Sequence, residues 1–479
     1  MYRLQKVLAK VTIPLTKDIM DINSAYQQAL DYLYTFVDYS LTRQLRYTPD
    51  TFNLDRMRQL MDILGNPQRD YPVIHVAGTK GKGSTAALIA SACQSAGLRT
   101  GFYISPHLQD YCERIQIDRQ NIPHDILVQL LEEIKPAIQQ VEQITTFEIT
   151  TAIAFLYFSR QKVDVSVIEV GLGGRLDATN VVDPLVSVIS SLSMDHMSVL
   201  GDTLALIARE KAGIIKPNRP VVLAPQKEEA RQVIEEIAEE RGSHLVTVGK
   251  DVFFAGQGHS LEGQTFFVWK CDEQSSMDQY LQEDNTSQWV PTQLFIPLLG
   301  YHQIENATTA YVALLEARRE GLPISDDAIR QGFASVKWEG RFEVLSKSPM
   351  IVVDSAHNRD SAARLRLALD DYLPNREVIL IFGASEDKDV DGMFSELMPR
   401  VQQVYATQSE HPRAMGAGEI VQLAHRHGRP AAAVLPVAAA LEQALSQVNQ
   451  HSAIVVAGSI FLAAAIREVW RINQSLEKK

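Results

Sequence analysis

The chain reads as an α/β protein in two parts: a phosphate-loop domain built on a mostly parallel sheet with a small β insertion, then a second Rossmann-like α/β domain. Three observations predict this. Short β-branched runs alternate with helical stretches from residue 73 onward. The first run, Val73, Ile74 and Val76, ends in a turn holding Gly78, Gly81 and Gly83, and an apolar helical pattern follows. A second alternating series starts at Ile351.

In chain order, residues 24–64 carry apolar positions at helical spacing, Leu30, Leu33 and Phe36, then Leu54, Met57, Leu60, Met61 and Leu64. Strands are expected at 73–77, 99–104, 163–170, 185–191 and 219–224. The helices between them fall near 84–96, 125–142, 147–160, 203–212 and 227–241. Residues 250–299 differ: loosely alternating aromatic and β-branched residues precede a polar, acidic stretch from Asp272 to Gln288, which reads as a β insertion with a mobile loop. A helix over 302–318 follows. The second series places strands at 350–354, 377–382, 402–406 and 453–457, with helices near 359–372, 390–398, 417–427, 436–448 and 459–473. The domains are therefore drawn as 1–334 and 347–479, joined by a link over 335–346.

The net charge of −12 and the pI near 5.5 argue against a nucleic-acid partner, which needs a basic face. The three cysteines, Cys93, Cys112 and Cys271, show no metal or redox spacing, so a reduced, cytoplasmic setting is expected. No apolar run reaches the roughly 18 residues of a membrane span. Residues 1–20 lack the apolar core of a targeting peptide.

Gly78-Thr79-Lys80-Gly81-Lys82-Gly83-Ser84 carries the most chemistry. Glycines let a backbone wrap an anion, and the following helix brings its positive end to the same spot. Lys82 adds a mobile cation, so the loop reads as a triphosphate site. The match is imperfect, because Val76 stands where the first glycine belongs and Gly83 separates Lys82 from Ser84. Gly81 to Ala86 also fits a relaxed dinucleotide pattern, but the strand ending at Ile104 runs into Ser105-Pro106-His107 with no acid for a ribose. A purely structural turn is the remaining alternative.

Glu169 ends a buried strand ahead of Gly171-Leu172-Gly173-Gly174, the place where such sheets hold Mg²⁺; the plainer reading is an acid satisfied by turn amides. His196 follows the next strand, where a metal or phosphate role competes with a structural one. Lys211 closes a helix, where a lysine ordinarily faces the helix dipole. Asp354 and Asn358 follow Val352-Val353 and are also good helix caps. Ser385 to Asp389 and His411-Pro412-Arg413 follow strands too, and read equally as solvated loops.

These segments, in this order, resemble the folylpolyglutamate synthase/dihydrofolate synthase family of the Mur ligase superfamily, over nearly the whole chain. Besides the phosphate loop, the resemblance rests on Ser105-Pro106-His107-Leu108, Phe147-Glu148, the run from Glu169 to Asn180, Asp195-His196, Glu210 to Pro217, His302-Gln303, Arg341-Phe342-Glu343, Asp354 to Asn358 and Asp387-Lys388-Asp389. It implies an ATP-dependent ligase that adds L-glutamate to a folate or dihydropteroate carboxylate through an acyl phosphate. It further implies that Gly78 to Ser84, Asn306, Arg341 and Asp354 contact ATP, and that Ser105 and Glu169 hold one Mg²⁺ while His196 joins Glu169 at a second. Lys211 matches a carbamylated lysine, His357 lies by the reacting centre with Lys82, and Phe147 and Asp177 line a pterin pocket. A monomer without nucleic-acid or membrane partners is expected. Lys80 stands where many members carry Asn, Trp338-Glu339-Gly340 replaces Pro-Gly before Arg341, Ser355 replaces a frequent Gly, and Arg359 a frequent Pro. A peptidoglycan amino-acid ligase would need an extra UDP-binding domain, and only about 70 residues precede the loop. A P-loop regulatory module would leave the second domain unused, and the chain has no Asn-Lys-x-Asp guanine motif.

Overall fold

The computed structural model describes residues 17–37, 53–195, 197–282 and 289–477. The first domain is built on strands β1 (Val73–Ala77), β2 (Thr100–Tyr103), β3 (Ile115–Ile117), β4 (Gln120–Asn121), β5 (Val165–Glu169), β6 (Val186–Ile189), β7 (Val221–Leu223) and β8 (Leu245–Thr247). They form one eight-stranded sheet in the order β4-β3-β2-β5-β1-β6-β7-β8. From β2 to β8 every pairing is parallel. β3 and β4 add an antiparallel edge that the sequence reading left out.

Every residue of β1, β5 and β6 is buried, as a central parallel strand covered on both faces requires. The helix Lys82–Ser95 is buried nearly all round, and Gly332 and Ser91 explain how. Ser91 Oγ donates to the Gly332 carbonyl at 2.7 Å, and a Cβ on Gly332 would lie 2.4 Å from Ala92. The helix Asp326–Ser335 therefore packs almost backbone to backbone on it.

The expected helical region 24–64 resolves into Lys17–Tyr34 and Asp55–Ile63; residues 38–52 lie outside the described residues. The insertion is a three-stranded antiparallel sheet, β9 (Val252–Ser260), β10 (Gly263–Lys270) and β11 (Thr292–Ile296). Its acidic stretch is helical over Gln274–Gln282, where Met277 and Tyr280 pack under Phe267. Residues 283–288 of the expected mobile loop lie outside the described residues.

The second domain carries β12 (Glu343–Lys347), β13 (Met350–Val353), β14 (Glu377–Phe382), β15 (Val401–Ala406), β16 (Ala431–Ala433) and β17 (Ser452–Ala457), in the order β12-β13-β17-β14-β15-β16. β12 begins within the segment read as a link and runs one residue past it. It pairs antiparallel with β13, so the chain enters the second sheet directly after Phe342. No helix among the described residues is long and apolar enough to cross a membrane.

Candidate active site

Four adjacent strand ends define the site, because the order β2-β5-β1-β6 sets Ser105, Glu169, the Gly78 turn and the Ser190–Asp195 segment side by side. Val76 pairs with Glu169 in register. Glu169 is 6% exposed. Burial raises its carboxyl pKa, which Lys82, the Ser105 amide and Arg341 offset in part. The Ser105 N–H points at Glu169 Oε2 from 3.4 Å, a long contact that leaves the carboxylate under-satisfied. A serine and a buried carboxylate at adjacent strand ends offer the kind of hard oxygen donors that fit Mg²⁺. His196 lies outside the described residues.

The loop itself is held by the next strand's exit. The Thr79 and Lys80 amides donate to the Ser191 carbonyl at 3.0 and 2.9 Å. They are therefore not free for an anion, which corrects the expectation that the whole loop offers its N–H groups. Gly81, φ +82°, caps the helix Lys82–Ser95, so the amides of Gly81, Lys82, Gly83 and Ser84 have no intrahelical acceptor. A Cβ on Gly78 would meet Ser190 Oγ at 1.9 Å, and one on Gly81 would meet Asn306 Oδ1 at 2.1 Å. Asn306 is buried on the helix Tyr301–Arg319, steadied by Gln303 at 3.0 Å. A Cβ on Gly83 would meet Trp338 Cζ2 at 2.5 Å.

Lys211 points inward, away from its own helix end. It is 4% exposed and donates from Nζ to the Gly78 carbonyl at 2.8 Å. Burial, then the charge of Lys82, lowers its pKa to about 7. Phe147 stands in the first turn of Thr146–Arg160 with its ring over Gly171, where a Cβ would come within 2.5 Å of Cζ. Asp177 accepts from the Leu172 amide at 2.8 Å, the Thr179 amide at 3.0 Å and the Thr179 hydroxyl at 2.5 Å. Asp177 thus ties the glycine loop to the turn that follows it.

The second domain faces this cluster. Asp354, at the end of β13, accepts from the Phe342 and Ala356 amides, both at 2.7 Å. Arg341 lies between the charges of Asp354 and Glu169; burial lowers its pKa and both carboxylates oppose that. His357 is held by the Ser355 carbonyl at 2.9 Å, and burial, then Lys80, lowers its pKa to about 3. Asn358 caps the helix Arg359–Tyr372 and donates to Asp195 Oδ2 at 3.1 Å across the domain boundary. A groove of about 480 Å³ borders the cluster, with Ile104, Pro106 and Leu108 on one wall and Trp338, Arg341 and Arg467 on the other. Sequence reasoning missed Trp338 and Arg364 as neighbours of the loop; Arg364 Nη2 reaches Ser191 Oγ at 3.5 Å. No local pattern marks either, since their partners are far along the chain.

Two family profiles match: the Mur ligase middle domain over residues 76–314 and the Mur ligase glutamate ligase domain over 340–460. A dihydrofolate synthase/folylpolyglutamate synthase of Bacillus subtilis is 35% identical over 374 residues, 77% of this chain and 83% of that protein. A probable bifunctional folylpolyglutamate synthase/dihydropteroate synthase of Haloferax volcanii is 32% identical over 450 residues, 93% of this chain, which spans 50% of that longer protein. The structure of Mycobacterium tuberculosis folylpolyglutamate synthase complexed with ADP superposes with a TM-score of 0.80 at 31% identity, covering 94% of this chain and 99% of that one. The strand-end cluster, the two matched domains and the likeness along nearly the whole length converge: this chain belongs to the folylpolyglutamate synthase/dihydrofolate synthase family of Mur ligases.

Proposed function

We propose that the protein joins L-glutamate to the carboxylate of a reduced folate, and also to dihydropteroate, using ATP. The observation that carries this reading is the facing of Lys82, Glu169 and Lys211 in one domain by Arg341, Asp354 and His357 in the other. The ADP complex of the mycobacterial relative and the names of both curated relatives support the same nucleotide and substrate class.

In this reading Lys82 and the amides of Gly81 to Ser84 hold the ATP phosphates, while Asn306, Arg341 and Asp354 hold the nucleoside end. The folate carboxylate attacks the γ-phosphorus, ADP leaves, and an acyl phosphate results. The glutamate nitrogen then attacks the acyl carbon, loses its proton and expels phosphate. Such transfer needs positioning and charge more than covalent help. Ser105 and Glu169 would hold one Mg²⁺, and His196 would join Glu169 at a second, to neutralise charge on the phosphates. Lys211, with its pKa near 7, is a fair fraction neutral at physiological pH, and only the neutral amine takes up CO₂ to form a carbamate. Phe147 and Asp177 line the pterin pocket, Phe147 as its apolar wall. His357, uncharged at neutral pH, orders the reacting groups. The two domains, 1–334 and 347–479, close on a hydrolysable intermediate and keep water out. The protein works as a cytoplasmic monomer.

A phosphate-release assay with ATP, L-glutamate and either tetrahydrofolate or dihydropteroate tests the proposal. Pterin-dependent release is expected with both; release that neither pterin stimulates overturns it.

A further inference from the structure

Away from the strand-end cluster, a second group of side chains converges where three elements meet. Asp110 and Cys112 sit at the start of the short helix Tyr111–Arg114, and His124 opens the helix His124–Ile138. Tyr26 comes from the helix Lys17–Tyr34. Asp110 Oδ2 lies 2.9 Å from His124 Nε2, and Asp110 Oδ1 accepts from Tyr26 Oη at 3.0 Å and the Cys112 amide at 2.7 Å. Cys112 Sγ is 3.7 Å from Tyr26 Oη. The sulfur, imidazole nitrogen and carboxylate oxygen all lie within 4.8 Å of one another.

From these contacts we propose that Asp110, Cys112 and His124 bind one borderline divalent cation of the Zn²⁺ class. One thiolate, one imidazole and one carboxylate is a donor set for Zn²⁺ or Co²⁺ and a poor one for Mg²⁺. Tetrahedral bonds of the usual lengths separate ligand atoms by about 3.3–3.8 Å, so closure requires side-chain shifts of roughly an ångström. The ligands are already oriented from outside: the Cys112 amide fixes the carboxylate, and Tyr26 stacks on His124 at 3.7 Å and 6°. Entry is open, because Asp110 and His124 side chains are 37% and 34% exposed while Cys112 lies beneath at 1%. A fourth position falls on the solvent side, or on Tyr26.

The bound ion would tie the helix Lys17–Tyr34, through Tyr26, to the segment that runs from Ser105 to Arg114. Glu113 already braces that segment by accepting from the Leu108 and Gln109 amides at 2.6 and 3.0 Å. The site therefore gives a trace metal a grip on the loop that carries Ser105.

Titrating the metal-free full-length protein with Co²⁺, in the presence of excess Mg²⁺, reads the ligands directly. The expected result is one equivalent bound with thiolate-to-cobalt charge-transfer absorption in the near ultraviolet, displaced by Zn²⁺. Cys112→Ser should abolish the band, and His124→Ala, at a part-exposed position that leaves the fold intact by circular dichroism, should weaken Co²⁺ binding about 10–100-fold. No band in the native protein, a band that survives Cys112→Ser, or unchanged affinity in His124→Ala overturns the assignment.

Discussion

Asp195 Oδ2 stands 3.0 Å from Lys80 Nζ and accepts the Asn358 side-chain amide at 3.1 Å, so one carboxylate oxygen joins the phosphate loop to the second domain. The Lys80 and Asp195 side chains are 13% and 12% exposed, and burial lowers the Lys80 pKa while Asp195 opposes it. Removing one partner of so enclosed a pair strands the other. Asp195→Ala should cost about 3 kcal/mol of stability in urea titration. It should also raise the KM for ATP, because the bridge between domains is gone. Unchanged stability would show the pair to be solvated in solution.

Lys82→Ala should leave the melting profile close to native and reduce kcat by about 10³-fold, the scale for losing one preorganised charge on a transferring phosphoryl group. Single-turnover phosphate release is the measurement. Near-native turnover would remove Lys82 from the phosphate site.

Lys211, with its pKa near 7, exchanges protons in the physiological range. The fraction able to hold CO₂ grows as pH rises through 7. A carbamate carbon signal should appear in ¹³C-bicarbonate NMR of the native protein, grow with pH over that range and be missing in Lys211→Ala. Small carboxylic acids should partly restore that variant's turnover. A native spectrum without the signal would sink the carbamate.

His75 is fully buried in β1, 2.9 Å from Thr179 Oγ1, and burial, then Lys216, lowers its pKa to about 3. Its unfolded value is near 6.5, so the unfolded chain takes up the proton first as pH falls. The stability it permits is complete above about 6.5 and is lost between about 6.5 and 3. Between about pH 7.5 and 5.5 it should withdraw about 1.4 kcal/mol, and His75→Gln should show a pH dependence smaller by that amount in denaturant titrations. An equal dependence in both proteins would mean that the imidazole is already charged when folded.

Gly81→Ala combines a left-handed backbone with a Cβ 2.1 Å from Asn306 Oδ1. The expected loss is about 2 kcal/mol from the backbone alone. Asn306 must also swing aside, so ATP affinity should fall further than Gly81 strain predicts. Isothermal titration with a non-hydrolysable analogue separates the two effects.

Much of the architecture was legible because its signals are local. β1, its glycine turn and the helix after it lie within 23 consecutive residues, Val73 to Ser95, and every part carries its own pattern. The helix Arg359–Tyr372 starts where the sequence puts it because Asn358 and Ser361 cap that end through neighbouring residues. Asp177 caps the turn Ala178–Val181 through Thr179 two residues on, the ordinary partner of a capping aspartate, while its bond to the Leu172 amide emerges only from the folded glycine loop. β12 escaped notice because an edge strand with partly exposed residues has no buried face to impose alternation. Asp195, Trp338 and Arg364 meet their partners only through tertiary packing, which periodicity does not encode.

Trp338 has a consequence for how the molecule can open. Its ring lies against Gly83, the Arg119 guanidinium stacks 5.6 Å from it, and Arg119 also donates to the Lys337 carbonyl. The connector is thus glued to the first domain up to Trp338 and woven into the second sheet from Glu343. Glu339–Phe342 bridges these two anchors, with Gly340 at φ +69° and its carbonyl accepting the Ser355 amide at 2.9 Å. Over so short a bridge, any turning of one half against the other has to pass through the backbone around Arg341.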